Sequence, residues 1–394
     1  MTDTTSTPDT PSPGAGPLAG IKVIETGGIG PNPFAGMFLA ELGAEVVRVD
    51  RPSAPDSFAV DPLFDLLNRG KRSIVLDLRQ AGAVAALLAM VERADVLTEG
   101  FRPGVMERLG LGPQECWQRN PRLVYGRMTG WGQDGPLSPR AGHDINYIGV
   151  TGVLEAIGEA GRPPQIPLTV IGDFAGGANY LVIGVLAALR AAERTGVGQV
   201  VDAAIVDGTS HLLTAVHALI NCGSWTVRRQ HNIVDGAAPF YAVYETSDHR
   251  YMAVGAIERQ FYRALLSVLD LDEDPSRQYD PATWPPAGER IAAAFRTRTQ
   301  AEWAERFAGT DACVSPVVSL TEAAENPQIS ARGSVRARDG QIQPAPAPRF
   351  SSFEPPDAAP PPRPGQHTRE VLSDWGVPGA EALIASGAAV QAQA

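Results

Sequence analysis

The sequence predicts an α/β protein: a parallel sheet wrapped by helices on both faces, followed by a smaller α+β domain. Three observations carry this. Short β-branched runs alternate with helix-period stretches from residue 21 to residue 202. A glycine-rich turn, Gly27-Gly28-Ile29-Gly30-Pro31, leads from the first run straight into a helical stretch. From residue 240 the pattern changes to period-two alternation around a polar turn.

The elements follow in order. Residues 21–25 read as the first strand, 33–42 as a helix with Gly43 as its C-cap, and 46–50 as the next strand, which closes a βαβ unit. Strand 73–78, helix 81–93, strand 95–99, a helix opening at 105–109 and strand 123–127 continue the alternation, and 200–202 adds one more strand. The helix 176–193 is nearly all apolar, which predicts burial on most sides. In the second domain 241–246 and 251–254 pair around the turn 247–250, and helices 259–269, 287–293 and 300–307 follow. Nine prolines between 344 and 364 make that stretch extended. A short helix, 368–375, comes next, and from Gly379 the Ala/Gly/Gln-rich end reads as a loose tail. Residues 1–16 are Thr, Ser, Pro, Gly and Asp and read as disordered.

With 394 residues, the chain is long enough for two or three domains at about 150 residues each. Its net charge of −11 argues against nucleic acid as a partner, which calls for a basic footprint. The cations are almost all arginines; Lys22 and Lys71 are the only lysines. Cys116, Cys222 and Cys313 match no zinc or redox spacing and are odd in number, so no metal site and no disulfide framework is expected. The N-terminus lacks the pattern of a signal peptide, and the longest apolar run, 180–189, is too short for a membrane span. The expectation is a soluble, cytoplasmic protein with no membrane partner.

Several segments admit both a chemical and a plain reading. Gly28 and Gly30 after a strand, with Asp50 ending the next, suggest a dinucleotide turn. But Pro33 stands where the third glycine belongs and removes an N–H that would cradle phosphate. In Gly142-His143-Asp144-Ile145-Asn146-Tyr147 a histidine can be a general base, since its ordinary pKa of about 6.5 is near working pH; equally, Asp144 caps a helix and His143 is merely exposed. Asp173, in Gly172-Asp173-Phe174, precedes the apolar helix. It is either a plain N-cap or a carboxylate at a positive helix mouth. Glu258, in Gly255-Ala256-Ile257-Glu258, is a solvated acid unless it faces His143. Arg51 and Arg102 follow predicted strands, and Arg108 lies a little further on. They are either scattered surface charges or part of an anion-binding edge where strands end.

Taken together, these segments resemble the family III CoA-transferase (CaiB/BaiF) superfamily. The resemblance rests on Pro17–Val23, Ala44–Asp50, Asn68–Ser73, Glu99–Gly104 and Pro364–Arg369 as written here, and spans 17–376. Within that superfamily, His143, Asp173 and Glu258 with their neighbours resemble the α-methylacyl-CoA racemase branch. The resemblance implies a Rossmann-like large domain, a small domain, and an interlocked homodimer whose active sites lie between the large domain of one subunit and the small domain of the other. The boundaries expected are then 1–16 extension, 17–203 large domain, 204–239 linker, 240–328 small domain, 329–346 return linker, 347–378 back in the large domain and 379–394 flexible tail. The implied chemistry is 1,1-proton transfer on a 2-methylacyl-CoA, with His143 and Asp173 as the two bases and Glu258 orienting His143. CoA belongs to the substrate, and no prosthetic group is implied. Arg51 would lie near its adenine and Arg102 and Arg108 near its phosphates. The backbone around Leu76, Leu78 and Arg79, and around Gly142, Asp144, Asn146 and Tyr147, would line the rest. The rival within the superfamily is a CoA-transferase with Asp173 as nucleophile.

Overall fold

The computed structural model describes residues 16–52, 61–338 and 340–393; apart from Gly16, the expected disordered extension lies outside them. The chain divides into two units. The first combines Met1–Thr151, Leu168–Leu212 and Pro346–Ala394; the second combines Gly152–Pro167 and Leu213–Ala345.

In the first unit the strands are β1 (Lys22–Thr26), β2 (Glu45–Asp50), β3 (Arg72–Leu76), β4 (Val96–Glu99), β5 (Val124–Thr129) and β6 (Val200–Ala204). The helices are α1 (Pro31–Glu41), α2 (Ala81–Val91), α3 (Val105–Arg108), α4 (Pro113–Arg119), α5 (Asp144–Val150), α6 (Asn179–Thr195) and α7 (Ile205–Leu212), with a π-helix at Val170–Ala178. The six strands are parallel in the order β3-β2-β1-β4-β5-β6. This is a doubly wound sheet whose order reverses between β1 and β4. Strand alternation explains its two cores. Ile24, Val47 and Leu97 face α2 residues such as Leu87 and Met90, whereas their neighbours Val23, Val46 and Val96 face Leu39, Leu181 and Val185.

Two expectations for this unit need correction. Helix α6 is not buried on most sides: Leu181, Val182, Val185 and Ala188 are buried, but Ile183 is 61% exposed. It also continues the π-helix, so Val170–Thr195 forms one 26-residue helical run, long and apolar enough by length and composition to cross a membrane. The sequence had suggested no such run. Here its buried face packs with Val124 and Ala203 of the sheet.

The second correction concerns the end of the chain. Residues 379–394 are not a loose tail throughout. Helix Ala380–Ala385 leads to strand Ala389–Val390, which pairs antiparallel with β3 at Leu76 and Val75. Ala388 and Ala389 are buried, the Asp77 N–H donates to the Ala388 carbonyl at 2.9 Å, and the Thr368 hydroxyl donates to the Val390 carbonyl at 2.7 Å. A two-residue strand of small side chains carries no pattern that composition could reveal. Truncation before Gly379 is expected to cost about 2–4 kcal/mol, from lost backbone bonds and an uncovered sheet edge. Thermal unfolding checks this, and an unchanged midpoint would contradict it.

The second unit is α+β, as expected. Strands β7 (Tyr241–Glu245), β8 (Tyr251–Gly255) and β9 (Val314–Val317) form an antiparallel sheet in that order. Helices α8 (Thr214–Asn221), α9 (Arg259–Val268), α10 (Trp284–Phe295) and α11 (Gln300–Phe307) accompany it. Phe240, Phe295, Trp303 and Leu265 anchor its core. The boundaries differ from those expected. Residues 152–167 join this unit through Arg229, which pairs with Glu155 at 3.6 Å and donates to the Arg162 carbonyl at 2.9 Å. The stretch 204–239 holds two helices, α7 and α8, rather than a bare linker, and 329–346 contains a hairpin of β10 (Val335–Arg338) with β11 (Gln341–Pro344).

Candidate active site

Asp173 is not an N-cap. It lies inside the π-helix, whose wide turns are marked by the Phe174 N–H donating five residues back to the Thr169 carbonyl at 3.4 Å. π-Helical turns are frequent at functional sites. Two contacts fix this one. Phe174 packs on Phe34 of α1 with ring centroids 4.8 Å apart, and the Asp173 N–H donates to Asp144 Oδ1 at 2.8 Å. Gly172 is required here, because a Cβ would collide with that same Asp144 oxygen. The Asp173 carboxylate reaches the first strand–helix turn: its Oδ2 is 3.2 Å from where a Cβ on Gly30 would stand, and Gly30 has φ +75°. Asp173 therefore sits beside the carboxyl end of β1, next to the point where strand order reverses. Partial burial, reinforced by the neighbouring Asp144 charge, raises its pKa to about 6.

Asp144 is expected to line the ligand with its backbone; its side chain has a structural use. Its side chain is 4% exposed and turned inward, where burial raises its pKa. Its Oδ2 is buried without a hydrogen-bond partner among the described residues. Its function in the fold is to tie the π-helix to the start of α5. His143, one residue earlier, is the N-cap of α5 and is exposed. Its backbone N–H donates to Asn146 Oδ1 at 3.0 Å, so Asn146 is engaged in closing that helix end. The Tyr147 hydroxyl donates to the Gly142 carbonyl, and its ring meets Trp131 edge-on at 4.7 Å. Asp144 thus ties the Asp173 backbone to the segment that begins with the exposed His143.

The other expected residues distribute along the carboxyl edge. Arg51 follows β2, and Arg102 and Arg108 follow β4; all three are exposed. Arg79 is exposed and pairs with Asp77, and Leu78 is half-buried. Leu76 is 1% exposed, its side chain belongs to the core, and its backbone pairs with Ala389. The dinucleotide reading fails at Asp50, whose carboxylate is buried and already used, by the Ser73 hydroxyl at 2.7 Å and by Arg48 at 2.8 Å. Among the described residues no group of three His, Cys, Asp or Glu side chains could hold a metal.

In the second unit Glu258 is the exposed N-cap of α9, and its side chain makes no capping bond. Two residues that sequence reasoning missed hold the segment before it. Gln278 Nε2 donates to the Ala256 and Ile257 carbonyls at 3.1 and 2.7 Å, and the Tyr279 hydroxyl donates to Ile257 at 2.6 Å. No local signal marks this pair, since they lie twenty residues away on an irregular stretch.

The similarities of the chain agree with this layout. It is 44% identical to "Alpha-methylacyl-CoA racemase" of Mus musculus and 43% identical to that of Homo sapiens, each over 91% of this chain and 93% of the relative. Among solved structures, a CAIB/BAIF family protein from Brucella suis superposes with a TM-score of 0.76 at 27% identity, covering 92% of this chain and all of that one. Residues 18–368 match the family described as CoA-transferase family III. A reversed parallel sheet with an aspartate at its switch point, carried on a chain matching that family along most of its length, makes this protein a member of CoA-transferase family III.

Proposed function

We propose that the chain interconverts the (2R) and (2S) epimers of a 2-methylacyl-CoA. The observation that carries this is the half-buried Asp173 at the carboxyl end of β1, its pKa raised to about 6 and its N–H bonded to Asp144, the residue after the exposed His143. The relatives at 43–44% identity support it by name. In the forward step one base removes the α-proton, and the C–H electrons pass into the thioester carbonyl to give an enolate. The conjugate acid of the other base then returns a proton to the opposite face, so each turnover leaves the two groups with exchanged protonation. A carboxyl near pKa 6 suits both duties, because near neutral pH it is neither a negligible acid nor a negligible base. Following the family resemblance, Asp173 serves the R epimer and His143 the S epimer.

The CoA part would run along Arg51, Arg102 and Arg108, a cationic edge on a chain of net charge −11. A second copy of the chain would cover α8, a helix rich in apolar residues that buries none of them within its own chain. In the interlocked arrangement it would set Glu258 of one copy beside His143 of the other. Three free cysteines fit a reducing, cytoplasmic setting.

The test is incubation of one epimer in D₂O without an acceptor acid, followed by NMR. Exchange of the α-proton together with epimerisation is expected; CoA transfer to an added acid without exchange would refute it. The pH dependence has a definite sign. Removal of the R-epimer proton needs ionised Asp173, so its rate should rise with pH through about 6 and then level off. Initial rates of α-proton exchange out of the R epimer in D₂O from pH 5 to 8, scored separately from epimerisation, measure this.

A further inference from the structure

We propose that Arg127 is a positioning residue which braces the two segments carrying Arg102 and Arg108, and so sets the phosphate-binding edge without itself touching substrate. The inference rests on the reading that CoA lies along those arginines.

Arg127 is on β5, is only 9% exposed, and is unused by the proton chemistry. Its guanidinium reaches in three directions. One Nη donates to Gln133 Oε1 at 2.5 Å; the other donates to Glu107 of α3; and Nε lies 3.9 Å from Glu99 Oε1 at the end of β4. Its ring neighbour is Tyr125, 5.3 Å from the ring centre. Both carboxylates lead directly to the arginines. Glu99 Oε2 accepts the Phe101 N–H at 2.7 Å, one residue before Arg102, and the Arg102 carbonyl in turn accepts the Val105 N–H that opens α3. Glu107 immediately precedes Arg108 in α3. Arg127 therefore ties both ends of the segment 99–108 to the sheet. The remaining charged group of this cluster, Asp202 on β6, accepts the Gln133 N–H at 3.3 Å and closes it on the far side. Burial near these acids raises the Glu99 pKa to about 7, so at working pH that leg depends on the nearby guanidinium to keep its charge.

A guanidinium that bonds Gln133 and Glu107 while its charge faces Glu99 at 3.9 Å has no equivalent in a shorter or uncharged side chain. Its loss should loosen the loop rather than alter proton transfer. The discriminating experiment compares a 2-methylacyl-CoA with the matching acyl-pantetheine thioester, which has the same acyl group but lacks the adenosine and its phosphates. In Arg127→Gln the KM for the CoA thioester should rise about tenfold, while that for the pantetheine thioester moves less than twofold. Calorimetric binding of free CoA should weaken by the same factor, and Arg127→Lys should restore part of it. An equal rise for both thioesters, or no rise for either, overturns the proposal. If Arg127→Gln fails to fold, Glu107→Gln decides: its acid is partly exposed, and a rise of about threefold confined to the CoA thioester is expected, with no change counting against the brace. Free-CoA binding is read without turnover, so absence of α-proton exchange in the unaltered protein would refute the racemase reading and still leave Arg127 tested.

Discussion

His143→Ala is expected to lower epimerisation by about 10²–10⁴-fold, the usual worth of a positioned general acid–base. Asp173→Asn, which keeps shape and removes the titrating group, should do the same. The two variants should nevertheless differ in what they retain. With His143 gone, Asp173 can still take the R-epimer proton and return a solvent deuteron to the same face, so R substrate exchanges with retention while S substrate is inert. With Asp173 gone, the pattern reverses. The measurement is α-deuterium content and configuration of each recovered epimer in D₂O. If both variants lose exchange from both epimers equally, the two-face assignment is wrong. If Asp173→Asn still epimerises at the unaltered rate, Asp173 is not a base at all. The Asp144 brace sharpens the interpretation, because it holds the Asp173 backbone through Oδ1 rather than through the Asp173 side chain. Asparagine at 173 therefore keeps that bond.

The alternation of strands and helices through residue 204 was legible because β-branched runs and helical periods are local properties. The resemblance motifs single out His143, Asp173 and Glu258; of these, Asp173 stands at the carboxyl end of β1. What remained hidden depends on distant partners. Asp173 looks like an N-cap in sequence because Asp favours that position. The π turn arises only when Phe174 meets Phe34 and Asp144 claims the Asp173 N–H, contacts spanning 140 and 29 residues. Asp144 itself reads as a helix cap, and nothing in its neighbours announces a buried brace. The attachment of 152–167 to the second unit hangs on Arg229 and Gln230, more than sixty residues downstream. Glu99 and Arg127 each sit in recognisable strands, yet their joint grip on 99–108 exists only after β4 and β5 pair.

Lys71→Met is expected to destabilise the protein by about 3–5 kcal/mol, the cost of leaving one partner of a buried ion pair alone. Lys71, one of two lysines in the chain, is fully buried with Glu25, and Nζ donates to Glu25 Oε2 at 2.6 Å. It also donates to the Pro33 carbonyl at 2.8 Å and to Asn68 Oδ1 at 3.0 Å. Burial pushes the Glu25 pKa up and the Lys71 pKa down, each opposed by the partner's charge. Glu25 Oε1 has no hydrogen-bond partner among the described residues, so the acid relies on this one cation. Removing Lys71 leaves Glu25 unpaired and takes one bond each from Asn68 Oδ1 and from a carbonyl in the first turn of α1. Removing both charges, in Glu25→Gln with Lys71→Met, takes away the uncompensated ion and should recover at least half of the loss. Chemical denaturation of the three variants measures this. A Lys71→Met cost under about 1 kcal/mol, or a double variant no better than the single, would contradict it. The consequence for chemistry is local: the N-cap of α1 is Gly30, against which the Asp173 carboxylate rests. The ion pair thus anchors from below the same turn that seats the proposed base from above.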